Sequence, residues 1–162
     1  MISIVRFERE HAKRMCVQRQ QLLDEFGEAD AMSASFGDAW TALLDGRPIA
    51  CAGVVEVWSG RAYAWALLAE DAGPHMLAIT RAIRCFLQRA PYRRIEMAVT
   101  VGFDAGRRWA EMLGFQLETP TAMRNYLPNG KDAWLYARVN DRGSGIHDRQ
   151  CGDGVRRERL PG

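Results

Sequence analysis

Residues 61–101 read RAYAWALLAEDAGPHMLAITRAIRCFLQRAPYRRIEMAVTV, and the periodicity changes twice along this stretch. RAYAWALLAE is short, apolar and bounded by turn signals, the pattern of a buried strand. From Met76 onward the apolar residues Met76, Ile79, Ile83, Phe86 and Leu87 recur on one face of a helix. Pro74 suits a first helical residue, where a missing N–H costs nothing, with Gly73 before it as N-cap. Pro91 closes the helix. RRIEMAVTV then returns to strand. A strand, a helix and a second strand in this order form a crossover, so the two strands are expected to lie parallel.

Upstream, residues 2–7 alternate as a short first strand, and Ala12, Met15, Cys16, Leu22, Leu23 and Phe26 recur at helical spacing, so 8–26 make one helix or two short ones, stopped by Gly27. DAWTALLDG and RPIACAGVVEVW are two further strands. Asp45-Gly46 joins them as a type I′ turn, and Ser59-Gly60 joins the next pair, so the three strands form an antiparallel meander. Downstream, FDAGRRWAEML reads as a helix, GFQLETPTAMRNY as a strand, and Lys131 to Val139 as the last strand after the turn Pro128-Asn129-Gly130. The fold class is α+β (mixed α/β), with a mostly antiparallel sheet, one parallel strand pair and about four helices. The final residues, from Asp141, are rich in Gly and Arg and nearly devoid of large apolar side chains, so residues 140–162 are expected to be a flexible tail.

Composition narrows the function classes. The chain has 162 residues, 48% hydrophobic and 26% charged, with a net charge of +2. That is enough chain to bury roughly 70% of its unfolded surface in one core without disulfides or a structural metal. A charge this small does not call for a nucleic-acid partner. No run reaches the ~18 apolar residues of a membrane span, and the N-terminus turns charged within its first few residues, unlike a secretory leader. A cytoplasmic protein is expected. Cys16, Cys51, Cys85 and Cys151 are widely spaced with no metal-ligand pattern, which suits free thiols in a reducing compartment. Trp40, Trp58, Trp65 and Trp134 fall in strands, where Trp is ordinarily buried or half-buried.

The element order and the segment AEMLGFQLE (residues 110–118), in which a helix ends at Leu-Gly-Phe and a strand begins, resemble the GCN5-related N-acetyltransferase superfamily. Gly114 has a physical reason there, because a helix ending in the left-handed conformation favours glycine. The resemblance covers residues 1–139. AWALLAE, RRIEMAVTV and MRNYLPNGKDAWLYARV are most similar to small bacteriophage-encoded members, including ones related to an internal virion protein of podoviruses.

The resemblance implies acetyl-CoA bound in a cleft where the strands RAYAWALLAE and RRIEMAVTV splay apart, with its pyrophosphate on amides at the start of the following helix. A helix N-terminus suits an anion, since its first amides lack internal partners and the dipole is favourable. The positions that match are Leu68, Ala69, Gly73, His75, Met76 and Leu77. Glu70 matches the family's general base, which takes the proton of the attacking amine.

The sequence departs from the pattern in several places. The loop EDAGPHML has one glycine and no arginine, Pro74 removes a donor, and Glu70 and Asp71 add negative charge beside an anionic ligand. Ala110 stands where many members have the tyrosine that protonates the departing thiolate, and Phe103 where an asparagine is usual; Tyr126 is a substitute acid. The pairs Arg93-Arg94 and Arg107-Arg108 flank the cleft elements, where they either reach a phosphate or lie solvated. Two functions remain open: transfer of an acyl group to an amine of a small molecule or protein, and a non-catalytic descendant acting as a phage virion or host-interaction protein.

Overall fold

The computed structural model of the chain describes residues 1–22 and 37–140. Seven strands form one sheet: β1 (Ile2–Arg6), β2 (Gly37–Leu44), β3 (Arg47–Trp58), β4 (Arg61–Leu68), β5 (Arg94–Thr100), β6 (Gln116–Leu117) and β7 (Ala133–Val139). Their order across the sheet is β1-β2-β3-β4-β5-β7-β6, and every pair is antiparallel except β4–β5. The helices are α1 (Arg9–Lys13), α2 (Arg19–Leu22), α3 (Met76–Arg89) and α4 (Asp104–Met112).

The meander follows from its turns. Asp45 and Gly46 have φ of +48° and +82°, the two positive values that a type I′ turn needs to match strand twist. Between β3 and β4, Trp58 pairs with Arg61, so Ser59-Gly60 is the two-residue loop expected, with Gly60 at φ +84°, and the register shift at Glu56/Trp58 falls inside the ladder before it. The helical pattern of the N-terminal region resolves into the separate α1 and α2, and the stop expected at Gly27 lies outside the described residues. The strand expected from Gly114 to Tyr126 is reduced to Gln116–Leu117 plus an isolated bridge between Met123 and Ala133. Pro120 has no N–H to offer a ladder, and Asn125 takes φ +53°, which no strand accommodates.

The crossover decides the architecture. β4 and β5 pair only from Arg61↔Arg94 to Tyr63↔Glu96, and beyond that point they diverge. Glu96, 5% exposed, holds the paired end. Arg61 donates to it through Nε and Nη2 at 3.0 and 2.5 Å, and Arg94 bonds both Glu96 and Glu118, tying β4, β5 and the end of β6 together. Two apolar clusters lie along the sheet. One gathers Met15, Ile49, Trp65, Leu68 and Ile79; the other gathers Leu87, Ile95, Phe115 and Tyr136; Trp109 packs against both.

Helix α4 ends as the sequence led one to expect. Gly114 has φ +87°, its N–H donates to the Glu111 carbonyl, and the Phe115 N–H reaches back to the Ala110 carbonyl. Those two bonds make a Schellman motif, which satisfies carbonyls that the helix end would leave unpaired. Asn140, counted with the tail from sequence, is bonded to the fold: its N–H donates to the Arg93 carbonyl and its Nδ2 to the Tyr92 carbonyl. Residues 141–162 lie outside the described residues.

Two expectations need correction. Trp65 is buried and Trp134 half-buried, but Trp40 and Trp58 are exposed, Trp58 beneath the guanidinium of Arg61 at 4.1 Å. Cys16 and Cys51 are reduced thiols outside any disulfide, whereas Cys85 is disulfide-bonded; Cys151 lies outside the described residues.

Candidate functional site

The site is built from the unpaired halves of β4 and β5. Peptide groups along a strand point alternately to its two neighbours. The Ala69 N–H donates to Ile49 O on the β3 side, so the peptide groups of Ala66 and Leu68 point the other way, into the gap where β5 has diverged. The segment that follows α1, together with α2, meets them there. The Gln21 carboxamide donates from Nε2 to Ala66 O and accepts from the Leu68 N–H through Oε1, both at 2.8 Å. Leu68 O accepts from the Gln18 N–H at 2.9 Å, Ala69 O accepts from Gln18 Nε2 at 3.4 Å, and Val17 makes an antiparallel bridge with Ala69. On the β5 side, the Ala98 N–H donates to the Tyr63 hydroxyl at 3.1 Å, and burial pushes that phenol up to about 12.

Glu70 follows directly, exposed at the end of β4. Its N–H donates to the Cys16 carbonyl, and its carboxylate accepts from the Cys16 thiol at 3.6 Å. Glu70, helped by desolvation and Asp71, pushes that thiol above its ordinary range, which keeps it protonated and weakly nucleophilic. Asp71 turns away to Arg47, 2.6 Å from its Nη2, and that guanidinium holds its carboxyl below the usual range. The two negative charges read from the sequence therefore differ: one is neutralised by a partner and one faces the cleft end.

The turn that leads into α3 is tighter than expected. Gly73–His75 is one 3-10 turn, and the α-helix begins at Met76 rather than at Pro74. Its internal bonds use the N–H groups of Ala72, His75 and Met76, and Pro74 has none. Space is open over Gly73, where an added Cβ would meet no atom within 4 Å. His75 is half-buried and Leu77 is exposed.

The other positions singled out from sequence separate clearly. Ala110 is fully buried in the Schellman contact, and Phe103 covers Gly106 at the start of α4. Tyr126 lies exposed in the β6–β7 loop. Arg107 donates to the Tyr136 hydroxyl at 3.1 Å and stacks over Trp134, so it is committed to packing, as Arg94 is to its carboxylates; Arg93 and Arg108 are exposed. No group of three or more metal-ligating side chains occurs among the described residues. Sequence reading missed Gln21, Tyr63, Thr80 and Arg47. Trp109 Nε1 donates to Thr80 Oγ1 at 2.9 Å and bridges α4 to α3. A Gln two residues after a cationic Arg carries no local signal; only the fold brings it to β4.

No protein-family model matches this sequence, and no curated protein matches it. Its likeness is to solved structures. The ribosomal-protein-S18-alanine N-acetyltransferase from Escherichia coli superposes with a TM-score of 0.66 at 16% identity, covering 91% of this chain and 99% of that one. An acetyltransferase of the GNAT family from Streptococcus pneumoniae gives 0.59 at 15% identity, covering 86% and 100%. A ribosomal L7/L12 alpha-N-protein acetyltransferase in complex with coenzyme A gives 0.57 at 15% identity, covering 86% and 94%. The chain has the fold of the GCN5-related acetyltransferases, with their mostly antiparallel sheet and single parallel pair.

Proposed function

We propose that this chain is an acyl-CoA-dependent N-acyltransferase, with acetyl-CoA as donor and an amine of a small molecule or protein as acceptor. The observation that carries the reading is the gap between β4 and β5, whose β4 edge already holds a carboxamide through Ala66 O and Leu68 N. An edge that accepts one amide fits an extended ligand that carries amides. When bound, acetyl-CoA supplies an acyl group activated as a thioester.

In this reading Leu68, through its N–H and carbonyl, and Ala69, through its carbonyl alone, offer backbone groups to the arm of the ligand, and Gly73, His75, Met76 and Leu77 surround its pyrophosphate at the positive end of α3. Open space over Gly73 supports that placement. Glu70 accepts the proton that the amine loses as its nitrogen bonds to the acyl carbon and the carbon–sulfur bond breaks. Tyr126 is the substitute acid. The loss of a tyrosine at Ala110 is tolerable because a reference thiol ionises near about 8.5, so a thiolate departs near neutral pH with little help. Tyr63, at about 12, is a poor donor toward it.

Calorimetry with acetyl-CoA tests the reading, with an expected dissociation constant of tens of micromolar or weaker, about −6 kcal/mol. One observation favours a second reading: the turn before α3 consumes the N–H groups of Ala72, His75 and Met76 internally. A non-catalytic phage virion or host-interaction protein on this fold needs no pyrophosphate site. Absence of acetyl-CoA binding at millimolar concentration selects it.

A further inference from the structure

Much of the polar edge that β4 would offer a ligand at its open end is held by one segment of the same chain. Gln21 takes Ala66 O and Leu68 N, Gln18 takes Leu68 O and Ala69 O, and Cys16 takes both the N–H and the carboxylate of Glu70. Gln21 is 7% exposed, so its carboxamide is committed to this contact and shielded from water. The geometry is that of an edge strand receiving one amide unit of an added chain: one N–H accepted, one carbonyl capped, on alternate residues of the same edge.

We propose that Gln21 is an internal competitor for the acyl-CoA arm, an autoinhibitory latch that occupies the amide-binding edge of β4 until ligand displaces it. The inference rests on the acyltransferase reading. A carboxamide and the amides of the arm have the same donor and acceptor chemistry, so both satisfy Ala66 O and Leu68 N and they cannot do so together. Displacing Gln21 also loosens the attachment of Gln18 and Cys16, which frees the Glu70 carboxylate from the thiol. Cofactor entry and exposure of the base are thereby coupled through one segment. The latch reduces apparent affinity by the fraction of time that it is closed.

The test uses the full chain and two variants. Gln21→Met keeps side-chain length and neutrality while removing both hydrogen bonds, and Gln21→Ala removes the side chain. Circular dichroism establishes that each folds. Hydrogen exchange reads the Leu68 amide directly, and calorimetry reads acetyl-CoA alongside adenosine 3′,5′-bisphosphate, which lacks the arm. The expected result is faster Leu68 exchange in both variants, by about tenfold or more, with protection restored by acetyl-CoA. Acetyl-CoA binding tightens about tenfold, equivalent to about 1.4 kcal/mol, while binding of the bisphosphate is unchanged. Unchanged Leu68 exchange in a folded variant overturns the contact itself. Faster exchange with acetyl-CoA affinity equal to or weaker than wild type overturns the latch and leaves the acyltransferase reading standing. Faster exchange with no acetyl-CoA binding to any of the three proteins overturns the acyltransferase reading, and the latch with it.

Discussion

At Glu70 the acyltransferase reading meets its simplest test. Glu70→Gln is expected to lower turnover by roughly 10²-fold or more, the range of a general base, with acetyl-CoA affinity unchanged or improved because a negative charge is removed. Steady-state kinetics with calorimetry on the same protein separates the two effects, and unchanged turnover excludes Glu70 as the base. Trp65 tests packing instead. It is 8% exposed, meets Phe7 edge-on at 5.4 Å between centroids, and its Nε1 has no hydrogen-bond partner among the described residues. Trp65→Ala should cost about 3 to 5 kcal/mol in denaturant unfolding, as large aromatic truncations do, and a loss under about 1 kcal/mol would show that the site tolerates its absence. Legibility at this scale tracks locality. Asp45-Gly46 and Gly114 were readable because the backbone conformation they serve lies within a few residues. Gln21 was not, because its partners Ala66 and Leu68 are more than forty positions away and nothing near Gln21 marks them.

Pairs of elements are held by side chains that periodicity does not reveal. The crossover β4–α3–β5 was legible, since proline, glycine and a helical stripe punctuate it. The point where its strands part was not, because that depends on Glu96, a carboxylate in a strand that reads as apolar. Arg61 and Arg94 hold the Glu96 carboxyl below the usual range, and Arg94 does the same for Glu118. A group whose folded value lies below its unfolded one, about 4.3 for Glu, contributes fully above the unfolded value. It loses that contribution as pH falls through the folded one. Wild type should therefore lose Tm on acidification below about pH 4.3 more steeply than Glu96→Gln. The variant, lower in Tm at pH 7, should converge on wild type at acid pH. Parallel melting curves for the two proteins from neutral to acid pH would refute the clamp. The end of α4 gives a second case. Gly114→Ala places a Cβ at φ +87° and 2.9 Å from Arg138 Nη1, and should cost about 1 to 2 kcal/mol in equilibrium unfolding.

For the molecule as a whole, charge placement near the cleft matters more than the net charge of +2. Read from sequence, Glu70 and Asp71 are two charges of the wrong sign for an anionic ligand. In the fold Arg47, at the start of β3, pairs with Asp71, because the meander sets that strand's first residue near the end of β4. The local field is therefore closer to one negative charge than two. In the acyltransferase reading Arg47 would then influence acetyl-CoA binding, which no local pattern at residue 47 indicates. Asp71→Asn should tighten acetyl-CoA binding by leaving the Arg47 cation free. Arg47→Gln should weaken it by leaving Asp71 bare beside Glu70. Both shifts should shrink as salt rises from about 0.02 to 0.5 M, because exposed charges are screened beyond a Debye length that falls well below 10 Å over this range. Calorimetry on the two variants at both salt concentrations reads the signs directly. Equal affinity of Arg47→Gln and wild type at low salt would place the ligand's phosphates away from the end of β4 and move the pyrophosphate site elsewhere on α3.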